Sequence, residues 1–244
     1  MVRILVVGET CLDVFKYGSC DRLAPEAPVP VFTPTECQSN PGMAMHVMKN
    51  VESLGVKCSI LTNSNWEDVK KIRYVDDRTN QMFIRIDEKD NMIKRGDVNS
   101  INFSKYDAII VSDYNKGFLK EDDLDFIFNN HPLTFLDTKK VLGDWALKAK
   151  FIKINSLEYA ASKDYLGRAY KEKLIVTTGK HGCRYNNKSY AVDQVEIKDF
   201  SGAGDTFIAA LTVSYLKDKN INNAIMFANE CSTKVVQRRG VSVV

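Results

Sequence analysis

The sequence predicts an α/β fold: a mainly parallel sheet with helices on both faces, accompanied by a small β-flap. Short apolar runs bounded by polar residues recur at 4–7, 59–61, 108–112, 134–136, 151–154 and 174–177, the pattern of strands buried on both faces. Helical stretches at 43–54, 121–129 and a short one after Asn155 fall between several of them, and strand–helix–strand alternation builds a parallel sheet. Two stretches break that rhythm. Residues 11–40 contain "RLAPEAPVPVF", whose prolines disfavour helix and central strand alike, and residues 72–87, "IRYVDDRTNQMFIRID", read as a hairpin turning around Asp76 to Asn80. The flap is therefore assigned to segments about 11–40 and 72–88. It would cover a ligand lying at the carboxyl ends of the strands. Beyond Val176, "CRYNNKSYAVDQVEI" reads as short strands, followed by helices at 203–217 and 221–236, the first with one buried face.

A chain of 244 residues fits one domain, 1–244, with a full core. The 34 basic and 31 acidic residues are spread evenly, leaving a net charge of +3 and no basic run that suggests nucleic acid. Six cysteines form no CxxC pair and no zinc-like arrangement with the three histidines. Reduced thiols in a cytoplasmic protein are the expectation. The apolar start is too short for a signal peptide, and no run approaches the roughly 20 residues of a membrane span. A small-molecule ligand is expected.

The stretch "DFSGAGDTF" carries the most chemistry. Gly202, Ala203 and Gly204 open a helix and allow a ligand to approach the backbone, whose first amides attract anions, phosphate above all. Asp205 stands beside that cradle, where a helix start also favours a carboxylate for purely local reasons. "GETCLD" places Asp13 after the first strand, as a hydroxyl-binding group or a turn former. "NPGMAMHV" puts Gly42 at a helix start and His46 one turn in. In "KINSLE", Asn155 and Glu158 have the spacing of a capping box, and equally of a pair that orients water on a magnesium ion. "SDYNKG" and "LDTKK" bring Asp113, Lys116, Asp137 and Lys139 to the sheet rim, where a phosphorylated substrate would sit. "VTTGKHG" offers Thr178 and Gly179 for a nucleotide phosphate or for a turn. Arg85, Lys116 and Lys139 are candidate substrate-phosphate contacts and equally ordinary solvated bases.

"DFSGAGDTF" resembles the signature of the ribokinase-like sugar kinases, the phosphofructokinase B family, and the other pieces follow in that family's order over nearly the whole chain. "RLAPEAPVPVF", "FIRID", "VSDYNKG" and "RRGVSVV" are similar to the branch that phosphorylates D-glycero-β-D-manno-heptose 7-phosphate on its anomeric oxygen. The resemblance implies a ribokinase-like fold with a reduced lid, and ATP and Mg²⁺ as cofactors. It implies Asp205 as the base and Gly202, Ala203 and Gly204 as the anion hole. Asp13, Gly42 and His46 would contact sugar; Asn155 and Glu158 would serve the phosphate and magnesium region; Thr178, Gly179 and Asn229 would line the nucleotide site. Expected partners are a sugar phosphate, ATP and a second copy docking through the lid, with neither nucleic acid nor membrane.

Three departures stand out. The usual Gly-Gly-Ala-x-Asn is here Pro-Gly-Met-Ala-Met-His (41 to 46), so His46 replaces an Asn. The stretch between Leu61 and Ile72 is shorter than in such kinases. A nucleotidyltransferase part, fused to some heptose kinases, is expected to be absent. The same residues allow two other readings: a methyltransferase loop, disfavoured because the chain has no Pro-Pro pair, and a catalytically weak kinase fold that binds sugar phosphate or nucleotide.

Overall fold

The computed structural model describes residues 2–244. Its main sheet has eight strands: β1 (Arg3–Gly8), β4 (Lys57–Leu61), β7 (Ala108–Asp113), β8 (Thr134–Thr138), β9 (Phe151–Asn155), β10 (Leu174–Thr177), β11 (Cys183–Tyr185) and β12 (Lys188–Tyr190). They run in the order β12-β11-β10-β9-β8-β7-β1-β4. From β4 to β10 every pairing is parallel, and β11 and β12 add an antiparallel end.

Both faces are covered, for a reason legible in β1. Ile4 and Val6 point to a core shared with α1 (Ala44–Ser53), α4 (Ala203–Asp218) and α5 (Ile221–Val235). Leu5 and Val7 point to a second core closed by α2 (Glu121–Asn130) and the segment around Leu142, Ala146 and Ala149. Unbroken apolar strands are what two such cores require. The helix α3 (Ser156–Ser162) follows β9 directly.

One expectation changes at α4. Instead of one buried face, every residue from Asp205 to Val213 is buried, because α1, α5 and the sheet pack around it. A helix enclosed on all sides is apolar all round and shows no stripe. Residues 191–200 likewise form no strand, although "VDQVEI" alternates; they are irregular.

The flap is a four-stranded sheet in the order β3-β2-β5-β6, made of β2 (Thr10–Leu23), β3 (Pro30–Met43), β5 (Lys70–Asp76) and β6 (Met82–Glu88). The prolines fall where a strand tolerates them, on the edge strand β3 and in the β2–β3 turn. The C-terminal segment ties this lid to the main body. The Arg239 guanidinium lies 4.1 Å from the Tyr17 ring centroid and donates to Asn80 Oδ1 at 3.1 Å and to the Asp77 carbonyl at 3.1 Å.

Candidate active site

The chain enters α4 through Gly202, which takes left-handed angles (φ 80°) that favour glycine. A side chain there would run into the His46 imidazole, with Cβ 2.8 Å from Nδ1. The glycine thus lets His46 come close to the helix start, and His46 reaches Asp205. Asp205 is buried in the first turn. Its Oδ2 lies 3.2 Å from His46 Nδ1, and its Oδ1 accepts from the Tyr114 hydroxyl at 2.7 Å. Burial pushes the Asp205 carboxyl up, but the hydrogen bond and charge of His46, with the Tyr114 hydrogen bond, outweigh it and hold the group below its ordinary value.

Asn50 fixes the orientation of His46. Its Oδ1 accepts from the Val244 amide (3.3 Å) and from Thr206 (3.1 Å), so its Nδ2 faces His46 Nε2 at 3.1 Å. A neutral ring with Nε2 accepting from Asn50 carries its proton on Nδ1. A charged ring gives its Nε2 proton to the Ser242 carbonyl, 3.1 Å away. In both states the Nδ1–H donates to Asp205.

In front of α4 opens a cavity of about 540 Å³. Tyr114, Asp137, Lys139, Asn155 and Thr177 line it from the carboxyl ends of β7 to β10, where ligands of such sheets lie. Gly202, Ala203, Gly204 and Asp205 line it as well, together with Gly179 and Asn229. Lys153 points into the helix start, since a Cβ on Gly204 would lie 2.8 Å from its Nζ. It pairs with Asp137 Oδ2 at 2.8 Å, both groups being buried. Burial raises the Asp137 carboxyl despite the opposing Lys153 charge, and Asp137 Oδ1 has no partner among the described residues.

The structure separates the sequence-derived candidates into two groups. Gly202, Ala203, Gly204, Asp205, Lys139, Asn155, Gly179 and Asn229 meet at the cavity. Asp13, Gly42, His46, Arg85, Lys116, Glu158 and Thr178 do not line it. Asp13 bonds Arg73 at 2.5 Å, and Gly42 lies against the Asp13 carboxylate because no side chain fits between them. His46 is buried on Asp205, so a direct sugar contact is replaced by a contact with the carboxylate. Arg85 is paired with Asp87, Lys116 with Asp90 and Lys139 with Glu158. Asn155 and Glu158 form the capping box: Asn155 N–H donates to Glu158 Oε2 at 2.7 Å and Asn155 Oδ1 accepts the Glu158 amide at 3.0 Å. With Lys139 also on Oε1, Glu158 is fully engaged as it stands. Among the described residues no three His, Cys, Asp or Glu side chains gather as a metal site. Thr178 closes its turn on the Gly182 carbonyl, with the hydroxyl donating at 3.0 Å. Asn229 donates to the Tyr190 carbonyl at 3.0 Å.

Three further residues of the site lie inside the same sequence motifs. Lys153 lies in "KINSLE" and Tyr114 in "SDYNKG". Glu9, in "GETCLD", is fully buried and accepts the amides of Tyr114 (2.8 Å) and Lys116 (2.9 Å), which holds the Tyr114 loop. Burial, then the Asp113 charge, raises its carboxyl. A polar residue immediately after a buried strand was the available signal for Glu9.

Helix amides and lysines around a held carboxylate suit the transfer of a phosphoryl group to a hydroxyl, and the comparisons lead to that class of protein. Residues 43–243 match the family described as pfkB family carbohydrate kinase. The chain belongs to this family. It is 30% identical to the bifunctional protein HldE of Helicobacter acinonychis, covering 98% of this chain and 64% of that protein. It is 27% identical to HldE of Nitratiruptor sp., covering 98% and 62%. The chain thus spans a little under two thirds of the length of these curated relatives. Its fold matches a nucleoside kinase of the ribokinase family from Methanocaldococcus jannaschii (TM-score 0.74, 16% identity, 99% of this chain and 93% of that one). It also matches the Arabidopsis thaliana ribokinase complexed with ribose and ATP (TM-score 0.73, 12% identity, 98% and 94%). No helix among the described residues is long and apolar enough to cross a membrane.

Proposed function

We propose that the chain transfers the γ-phosphoryl group of ATP to a hydroxyl of a sugar phosphate, with Asp205 taking the hydroxyl proton. The acceptor we assign is D-glycero-β-D-manno-heptose 7-phosphate at its anomeric oxygen. The observation that carries the reaction is the position of Asp205: buried, next to the small residues 202–204, and on the wall of the cavity. Because its carboxyl is held below the usual value, it is ionised at neutral pH. The α4 amides and Lys153 then neutralise charge on the transferred group. Lys139 lines the same cavity. A magnesium ion held mainly by nucleotide phosphates and water needs only one or two protein carboxylates, and the unpartnered Asp137 Oδ1 fits that need. Bound there, the ion would neutralise phosphate charge.

The acceptor assignment rests on the resemblance of "PEAPVP" and its companion motifs to heptose-phosphate kinases, and the HldE relatives agree with it in covering 98% of this chain. One observation favours the second reading, a binding protein with weak catalysis: both Asp205 oxygens are already hydrogen-bonded within the chain. ADP release with Mg-ATP and a panel of heptose 7-phosphate, fructose 6-phosphate and ribose separates the two. Turnover on the heptose supports the kinase; silence across the panel with thermal stabilisation by a sugar phosphate supports the binder.

Phe83, Ile84 and Ile86 are 42%, 55% and 41% exposed on β6, an edge strand of the lid. We infer that a second copy covers them. Ile84→Lys then yields monomers by light scattering, and a monomeric parent protein would overturn the inference. Six free cysteines and a need for ATP fit the cytoplasm.

A further inference from the structure

Lys71, on the lid strand β5, is 8% exposed. Buried ammonium groups are ordinarily paired with a carboxylate, because an uncompensated charge out of water is costly. Lys71 has no such partner among the described residues. The only acceptor within hydrogen-bond reach of its Nζ is the weakly accepting thioether sulfur of Met43, 3.3 Å away. The register of the lid sets Lys71 between Asp13 on β2 and Asp87 on β6, yet Arg73 holds Asp13 and Arg85 holds Asp87. The flanking carboxylates are thus engaged elsewhere.

What Lys71 does face is Tyr114, whose ring centroid lies 5.1 Å from its Nζ. Lys139 Nζ lies 5.5 Å from the same centroid, and the hydroxyl of that ring is on Asp205. The phenol therefore spans from the Asp205 carboxylate to a region bordered by two ammonium groups. It also lines the cavity, so it forms the wall between the cavity and Lys71. A ligand with a hydroxyl at one end and an anion at the other has the same polarity as this arrangement. Met43 contributes by an unusual backbone: at φ 59° and ψ −129° a methionine stands in a region glycine prefers, and that conformation brings its sulfur over Lys71.

We propose that Lys71 is the centre of a subsite for the anionic group of the acceptor, a phosphate above all, and that the Tyr114 ring covers this subsite until the acceptor takes its place. The inference rests on the sugar-phosphate reading above and goes beyond it. The bases singled out from sequence, Arg85, Lys116 and Lys139, all have carboxylate partners, whereas Lys71 has none among the described residues.

The test is calorimetric titration of inorganic phosphate into the parent protein and Lys71→Gln, each saturated with Mg-AMP-PNP so that the nucleotide cavity is filled. The expected result is phosphate binding weakened about tenfold or more in the variant, the scale of one charge-assisted contact, with an unlowered melting temperature because the substitution removes an unpaired buried charge. Equal phosphate affinity in both proteins, or no phosphate binding by the parent, overturns the subsite. Kinetics read the kinase question separately. With a productive sugar phosphate, Lys71→Gln raises the acceptor KM while the KM for ATP is unchanged. If no sugar phosphate turns over but phosphate binding still depends on Lys71, the kinase reading fails and the subsite stands.

Discussion

His46→Ala tests the link between the histidine and the carboxylate. The substitution removes the Nδ1–H that donates to Asp205 at 3.2 Å and leaves the Tyr114 hydroxyl on the other oxygen. A hydrogen bond to an ionised group is worth about 1.5–3 kcal/mol. Its loss leaves burial less opposed and raises the Asp205 carboxyl. Asp205 is depressed in the folded protein, so its stabilising contribution is present above the unfolded-state value and is lost as pH falls through the folded one. The variant is therefore least stable relative to the parent at neutral pH, with the melting temperature lower by roughly 3–12 °C, and the gap narrows in acid. The assay is the pH dependence of kcat/KM for ADP release, with the Asp205 carboxyl carbon followed by NMR to read the same titration without turnover. An acid limb and carboxyl titration at the parent's pH in an otherwise folded variant would refute the role given to His46.

Two further outcomes follow from the same geometry. Gly202→Ala imposes a left-handed conformation on a residue with a side chain, costing about 1–2 kcal/mol for the backbone alone, and drives its Cβ against His46; urea unfolding should show at least that loss. Lys153→Met leaves the buried Asp137 carboxylate without its partner, a loss of about 3–5 kcal/mol. Because burial already raises Asp137, its unfavourable contribution grows as pH rises through its folded value. The variant should thus be least stable at neutral and alkaline pH and recover toward acid, and a pH-independent deficit by thermal melting would contradict this.

The alternation of apolar runs and helices made the parallel sheet legible, because Ile4 to Val7 of β1 alternate between two separate cores. The lid was legible through proline, which an edge strand such as β3 tolerates. The wholly buried α4 was not: periodicity reports a helix's exposed side, and residues 205–213 have none. At the site, the small residues before Asp205 gave the cradle, whereas the hydrogen-bonding of its carboxylate depends on contacts far apart in sequence. Tyr114 and His46 meet it from 91 and 159 residues away. Nearness to strand ends marks basic residues in the sequence, but pairing decides which are available, and at Lys71 the lid register places carboxylates that Arg73 and Arg85 hold. Asn155 and Glu158 form the local capping box that their spacing also allowed.

The most direct test of the central claim compares the parent protein with Asp205→Asn, a near-isosteric change that removes the proton acceptor. ADP release is measured with Mg-ATP and heptose 7-phosphate, and binding of both ligands is measured alongside it. The account predicts turnover by the parent, lost on the order of a hundredfold or more in the variant, with both ligands still bound. Undiminished turnover in Asp205→Asn would contradict it.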